Sequence, residues 1–420
     1  MSEPASSVRT VVVVGSSVGG VRTAQALRSE GFGGRVVLVG DEARLPYDKP
    51  PLSKQFLAGS WGTERVALLT EAAADQAGIE LRLGVAAERL DVAGRQVVLA
   101  DGQRLDYDAV VIATGAAARP SPWAARSGVH VVRTMSNSES LQADLRRDGH
   151  VVVVGGGFIG AEVAATARSL GREVTVVDPL PVPIGRVVGA AVGSHFADLH
   201  RRHGVATRFG TGVESVEGEA GNLRVVLTDG TELTAGTVVV GIGATPNDGW
   251  LADSGLLVEN GVVCDEFCRA VDAPAVHAVG DVARWFHPDR GEHTRVEHWT
   301  NAVDQAVCVA HNIAHPDDLR AYRPVEYVWS DQYDWKIQIV GRPHRATEYH
   351  LVGDPAADQP RFAALYRGAD GQLIAAVTVN WPKALVTCRR LVAAGSTFAA
   401  AVTQVEALAA APARTAGAPA

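Results

Sequence analysis

The sequence predicts an α/β protein in which two Rossmann-like parallel-sheet domains are followed by a smaller α+β domain. Three observations carry this. Stretches beginning at Val11 and Val151 each run strand, glycine turn, helix, strand; the wording LADGQRLDYDAVVIATG returns as LTDGTELTAGTVVVGIG with the same order and spacing; and from about Tyr322 the text turns aromatic and β-rich. Strand alternating with helix implies a parallel sheet, and the repeated wording implies a duplicated unit.

The unit from Val151 to Asp178 reads VVVVGGGFIGAEVAATARSLGREVTVVD. Four successive valines predict a strand buried on both faces. Gly155, Gly157 and Gly160 then stand at G-x-G-x-x-G spacing, an Ala-rich helix follows, and a second valine-rich strand ends in Asp178. Each piece meets a demand of a dinucleotide: a tight turn, close backbone approach to the pyrophosphate, close helix packing, and an acid for the ribose hydroxyls. The earlier unit repeats the plan with Gly15, Gly19 and Gly20 and a strand from Val36 to Val39 that ends at Gly40 and Asp41. Here Ser17 replaces the middle glycine, and Gly19 is expected to supply the room. The same letters satisfy G-x-S-x-G, the nucleophile turn of α/β-hydrolases, so Ser17 as a hydrolytic nucleophile is a remote alternative. The short text before this strand leaves no place for the upstream strands and oxyanion loop that such an elbow needs. Two nucleotide sites, not one, are the expectation.

Between the units, LPYDKPPLSKQFLAG is a proline-rich loop in which Pro50 and Pro51 fix the backbone and Ser53 is expected to cap a helix starting near Lys54. Ile79 to Ala113 predicts short strands closing on DAVVIATGA, where Thr114 and Gly115 let a ligand or another segment come close. Arg119 to Gly149 reads as a crossover into the second unit. After Asp178 a helical region spanning His195 to His203 leads into strands near Val205, Val213 and Leu223. Ala275 to Val279 is a further strand meeting Gly280 and Asp281, an acid placed either to accept from sugar hydroxyls or to cap a helix. VEHWTNAVDQAVCVAHNI predicts a helix with Trp299 near its start, a residue that either packs in the core or touches a cofactor. Residues 1–116 with 245–321, 117–244 and 322–408 are the expected domains, the last holding an antiparallel sheet and one or two helices from Pro382 to about Leu408. Residues 409–420 are Ala/Pro-rich and expected to be a disordered tail.

Composition narrows the function. With 420 residues, 47% hydrophobic and 20% charged, the chain has the make-up of a globular protein of two or three domains. A net charge of −8 without a basic run argues against a nucleic-acid partner. The polar start MSEPASSVRT and short apolar runs predict neither a signal peptide nor a membrane span, so a cytoplasmic location is expected. Cys264, Cys268, Cys308 and Cys388 lack disulfide-scaffold, zinc or iron–sulfur spacing and are expected to be reduced thiols, with Cys264 and Cys268 packed rather than a redox pair. His287, His293 and His298 are irregularly spaced, and no metal site is expected.

With these pieces in place, the chain resembles the flavoprotein ferredoxin reductases that serve bacterial oxygenases, of the putidaredoxin reductase and dioxygenase-reductase type, over about residues 8 to 405. The marks are RLPYDKPPLSK at 44–54, GGGFIGAE at 155–162, AVGDVAR at 278–284, WTNAVDQA at 299–306 and WSDQYD at 329–334. The resemblance implies a glutathione-reductase-like pair of domains, with FAD in the first and NADH in the second, and a third domain against the flavin. FAD would lie on Gly15, Gly19 and Gly20, with Asp41 at the adenosine ribose, Ala87 near the adenine, and Thr114, Gly115, Arg133, Gly280 and Asp281 along the cofactor. Lys54 and Trp299 would flank the isoalloxazine, and Glu162 would pair with Lys54 and border the nicotinamide. NADH would lie on Gly155, Gly157, Ile159, Gly160, Asp178, Arg186, Ile242 and Gly243. A carboxylate at Asp178 favours NADH over NADPH by repelling the extra phosphate. Related two-nucleotide flavoproteins use a cysteine beside the flavin, and neither the loop after Asp41 nor the second nucleotide unit has one. Electrons would therefore leave singly for an iron–sulfur ferredoxin, or a rubredoxin-like carrier, that feeds a monooxygenase or dioxygenase. Lys383, Arg389 and Arg390 are the expected docking cations. A flavin-bearing interaction protein of the apoptosis-inducing-factor type, gated by redox state, is the alternative.

Overall fold

The structure is a computed structural model and describes residues 8–410. It divides into two compact units, residues 8–120 with Arg133–Ser138 and Gly243–Pro324, and residues 121–132 with Glu139–Ile242 and 325–410.

In the first unit the strands Ala273–Ala278, Ala109–Ile112, Thr10–Val14, Arg35–Gly40 and Ile79–Leu83 run parallel, in that order, from the middle of a nine-stranded sheet to its edge. The valine and isoleucine runs of Thr10–Val14, Arg35–Gly40 and Ala109–Ile112 are buried on both faces, as continuous apolar strands require, while the edge strand Ile79–Leu83 is only partly buried. The helices Val18–Ser29 and Trp299–Ala314 lie against one another beside this sheet. The second unit repeats the plan with five parallel strands in the order Ala206–Phe209, Val174–Asp178, Val151–Val154, Thr237–Val240 and Val129–His130. Both units carry a three-stranded antiparallel ribbon, Ala87–Asp91 with Gln96–Leu99 and Arg104–Asp106 in one, Val213–Glu219 with Asn222–Leu227 and Glu232–Ala235 in the other. These ribbons are the repeated wording of the sequence.

The C-terminal segment forms the five-stranded antiparallel sheet Tyr327–Gln332, Trp335–Gly341, Leu373–Val379, Arg361–Arg367 and Glu348–Asp354. One face packs Trp335, Ile337 and Phe362 against Val192, Phe196 and Leu199 of the helix Ala190–Arg202, while the other is covered by the helices Pro382–Ala393 and Phe398–Ala410. The tail expected to be disordered from residue 409 begins inside that last helix, because its alanines prolong the helical run; positions 411–420 lie outside the described residues.

The duplication extends to single bonds. Gly15 N–H donates to Val39 O and Gly155 N–H to Val177 O, both at 2.8 Å; Ala113 N–H reaches Val14 O and Gly241 N–H reaches Val154 O, both at 2.7 Å. Arg28, in the last turn of its helix, donates to the carbonyls of Phe32, Gly34, Ala77 and Gly78, and Arg168 sends the corresponding bonds to Arg172 and His203. Each arginine thereby stitches a helix end to the segment entering the next strand.

Both glycine turns share one steric requirement. A Cβ at Gly20 would sit 1.8 Å from Gly15 O, and one at Gly160 would sit 2.0 Å from Gly155 O. At Gly157, by contrast, a Cβ would meet nothing within 4 Å. Gly160→Ala is therefore expected to lower the unfolding free energy by about 1–3 kcal/mol, and Gly157→Ala to change it by less than about 1 kcal/mol. Urea denaturation of the two variants checks this, and equal losses would contradict the packing described.

Candidate functional site

The first unit gathers its candidates at the carboxyl ends of the central strands. Helix Val18–Ser29 starts directly from the glycine turn, with Ser17 as its N-cap. The Ser17 backbone, φ −94° and ψ −166°, is close to that of Gly157 in the second unit, φ −74° and ψ −177°. This is extended backbone that any residue adopts, so the serine replaces glycine without strain. It also corrects the hydrolase alternative, because a nucleophile elbow needs a sharp, strained turn and Ser17 has none. Gly19 is buried against Val279 and Ala302, so it serves packing in addition to any approach to phosphate. Asp41 follows the second strand and is exposed. Ala87 lies on the ribbon beyond Val85, whose N–H donates to Gly40 O, which brings it to the same end of the sheet.

The proline-rich loop takes a different form from the one expected. Pro50–Ser53 is a 3₁₀ turn, Ser53 is its last residue with its hydroxyl directed at Pro50 O (3.5 Å), and no α-helix starts at Lys54. The paired prolines make the tight turn themselves, which removes the need for a cap. The loop is held from below by Ser138 Oγ donating to Leu52 O at 2.8 Å and by Trp299 Nε1 donating to Asp48 Oδ1 at 2.7 Å. Burial pushes the Asp48 carboxyl up, and the Trp299 bond opposes that shift. Trp299 and the segment carrying Lys54 are thus fixed to one another. Lys54 is half-buried, and its backbone caps the turn at Pro51 O.

Lys49, which the sequence reading passed over, belongs to this group. Its ammonium lies 3.4 Å from Arg133 O and over the Tyr47 ring. Desolvation, with the nearby Arg133 charge, lowers it to about 8. Arg133 in turn pairs with Asp281 at 2.9 Å, and its Nε is buried with no protein partner among the described residues. Asp281 follows Gly280 in a short turn whose first N–H donates to the buried Gln305 Oε1 at 2.8 Å. Thr114 and Gly115 clasp Asn247 through Thr114 Oγ1 to Asn247 O (2.7 Å) and Asn247 N–H to Gly115 O (2.9 Å). Two cations, one desolvated and one with an unused buried donor, beside a helix start without acidic residues, suit an anionic pyrophosphate. The sequence signal was available, since Lys49 stands on the same rigid loop as Lys54.

In the second unit Asp178 is buried at its strand end, its carboxylate accepting Gly156 N–H at 2.6 Å and Leu180 N–H at 2.7 Å. These bonds fix the carboxylate beside the glycine turn with lone pairs to spare for hydroxyls. The helix Phe158–Ser169 starts over the open space at Gly157. Ile159 and Ile242 are exposed by 44% and 38%, large apolar side chains left open to solvent at the same end of the sheet. Arg186 is exposed on the turn Gly185–Val188, which is tied to the glycine turn by Ile184 N–H to Gly156 O at 3.1 Å. Glu162 is buried and accepts Ser330 Oγ at 2.7 Å, with Gln332 Nε2 donating to the same oxygen of Ser330 at 3.2 Å. WSDQYD therefore supplies a hydroxyl to the carboxylate of GGGFIGAE, a contact no spacing rule forecasts. Gly243 lies in the first unit, where its carbonyl accepts Arg119 N–H at 2.9 Å.

Comparison with known proteins fits this geometry. Residues 9–306 match the family described as pyridine nucleotide-disulphide oxidoreductase, and residues 327–409 match the reductase C-terminal family. The chain is 38% identical over 387 residues to the ferredoxin–NAD(+) reductase component of the anthranilate 1,2-dioxygenase system of Burkholderia cepacia, covering 92% of this chain and 94% of that one. It is 37% identical to rhodocoxin reductase of Rhodococcus erythropolis, over 91% and 89% of the two chains. A solved structure of the covalent putidaredoxin reductase–putidaredoxin complex superposes with a TM-score of 0.88 at 32% identity, over 96% of this chain and 99% of that one. The duplicated glycine turns, the two acids at their strand ends and these matches lead to one conclusion: the chain is an FAD- and NADH-linked member of the pyridine nucleotide-disulphide oxidoreductase family, in its ferredoxin–NAD(+) reductase branch.

Proposed function

We propose that this chain carries electrons from NADH through FAD to an acidic iron–sulfur ferredoxin that feeds an oxygenase, in the cytoplasm. FAD supplies a ring that accepts a hydride and releases electrons one at a time. The observation that carries the reading is the position and state of the thiols. Cys264, Cys268 and Cys388 are buried, and Cys308 is half-buried. Burial pushes the Cys388 thiol up to about 12, the Cys308 thiol to about 11, and those of Cys264 and Cys268 higher still. A thiol held in that state supplies no thiolate to relay electrons. Residues 41–54 and 151–178 contain no cysteine. The acceptor then lies outside the chain's own thiols, and the similarity to ferredoxin reductases supports a separate protein in that role.

The chain's own groups divide the remaining work. The helix start at Gly15, Gly19 and Gly20, with Lys49 and Arg133, holds the FAD pyrophosphate. Asp41 and Ala87 take its adenosine, and Thr114, Gly115, Gly280 and Asp281 line its length. Lys54 places positive charge where negative charge gathers on reduction, and Trp299, anchored by Asp48, walls the ring. Gly155, Gly157 and Gly160 with Arg186 hold the NADH pyrophosphate, Asp178 binds its ribose, Ile159, Ile242 and Gly243 flank its path, and Glu162 borders the nicotinamide. The exposed face of helix Pro382–Ala393 presents Lys383 and Arg390 around the exposed Val386, with Arg389 laid over Tyr327. An apolar centre with a cationic rim suits an acidic carrier.

Two measurements test these assignments. Asp178→Ala is expected to reduce the NADH-to-NADPH ratio of kcat/KM by about tenfold or more, from the loss of charged hydrogen bonds and of the repulsion against the second phosphate. An unchanged ratio would remove Asp178 from the ribose site. Lys383→Glu combined with Arg390→Glu is expected to raise the KM for ferredoxin about tenfold and flatten its salt dependence, leaving NADH-driven ferricyanide reduction as it was. An unaltered ferredoxin KM would place the docking face elsewhere.

A further inference from the structure

At the end of the first unit remote from its glycine turn, three side chains converge that none of the preceding chemistry uses. His311 and His315 stand at i and i+4 on the helix Trp299–Ala314 and its C-cap, and so share one face. Glu30, the C-cap of helix Val18–Ser29, points between them. Nδ1 of His311 lies 3.0 Å and Nε2 of His315 lies 3.2 Å from the same oxygen, Glu30 Oε2. The ligand-type atoms of the three residues all fall within 4.8 Å of one another.

Protonation makes this arrangement informative. His311 Nε2 lies 2.9 Å from the carbonyl oxygen of Asp318, which can only accept, so that nitrogen carries the hydrogen. Nδ1 then directs its lone pair at a carboxylate oxygen. Two lone-pair atoms at that separation need a cation between them, either a second proton or a metal. The His311 side chain is 4% exposed, so its ring is held in one orientation toward Glu30. A backbone carbonyl on the far ring nitrogen is also what orients metal-bound histidines. In a tetrahedral zinc site with bonds of about 2.0–2.2 Å, neighbouring ligand atoms stand about 3.4 Å apart. The distances to Glu30 are within a few tenths of an ångström of that. The charged groups facing the cluster are Asp318, whose Oδ2 is 3.3 Å from His311 Nε2, and Arg320, paired with Asp318 at 3.7 Å.

We propose that Glu30, His311 and His315 form a binding site for a divalent metal of the zinc class, with solvent on the His315 side supplying the remaining position. Two imidazole nitrogens and one carboxylate oxygen suit zinc, cobalt or nickel better than calcium or magnesium. The metal would tie together the carboxyl ends of two helices whose amino ends, at Val18 and Trp299, border the flavin site. A helix of twelve residues spans about 18 Å, so the ion is a structural clamp outside the electron path.

The test uses the flavin-loaded full chain, stripped with a chelator, then titrated with zinc by calorimetry and with cobalt by visible absorption. One metal per chain at micromolar affinity or tighter is expected, with a cobalt band of tetrahedral type and a rise in the melting temperature. His315→Ala, at the exposed edge of the cluster, should weaken binding at least about tenfold, Glu30→Gln likewise, and His293→Ala not at all. Affinity no better than millimolar, or affinity unaltered in His315→Ala, would overturn the proposal and leave the cluster as a proton-shared staple.

Discussion

A helix offers its first backbone N–H groups to a dinucleotide only if it leaves its strand without delay, and here that rests on two backbone contacts. The helices of both units start where Gly20 and Gly160 lie so close to the carbonyls of Gly15 and Gly155 that a methyl group would overlap them, at 1.8 Å and 2.0 Å. Everything chemical is arranged around those starts. Asp41 follows one neighbouring strand and Asp178 ends the other, and the carbonyl contacts of Arg28 and Arg168 secure the far ends of the same helices. Ser17 shows which part of the G-x-G-x-x-G pattern is compulsory, since the middle position needs only extended backbone while the third needs the absence of a side chain.

Much of this was legible because it is local. Valine runs, glycine spacing and a terminal acid lie within one short stretch, and the two ribbons could be matched by wording alone. What escaped the sequence depends on partners far along the chain. Trp299 meets Asp48, Glu162 meets Ser330, and Arg133 meets Asp281, and no pattern encodes such pairings. Ser53 was misread for a related reason: a serine before a helix-like run predicts a cap, but Pro50 and Pro51 had already fixed a 3₁₀ turn. Lys49 was overlooked beside Lys54, five residues on, and its significance appears only in its desolvation next to Arg133. His311 and His315 went unread as a pair, because the carboxylate that completes the cluster, Glu30, is distant in sequence.

Charge in the first unit is segregated by depth. Lys49 and Arg133 are drawn inward, where an anion can repay their desolvation, and Asp281 holds one of them in place without neutralising both. On the C-terminal helix the cations are exposed instead, around a solvent-facing Val386. Inward cations suit a resident cofactor and outward ones a transient protein partner, so a net charge of −8 leaves room for local cationic surface. The buried thiols take no part in either.

The buried thiols, and the absence of cysteine from residues 41–54 and 151–178, imply that electrons cross from nicotinamide to flavin to an external iron–sulfur protein with no sulfur of this chain between them. The direct measurement is the steady-state rate of ferredoxin reduction by NADH in a flavin-loaded variant carrying Cys264→Ala, Cys268→Ala, Cys308→Ala and Cys388→Ala. The account predicts the unmodified rate. Flavin that still bleaches with NADH but no longer passes electrons to ferredoxin would contradict it.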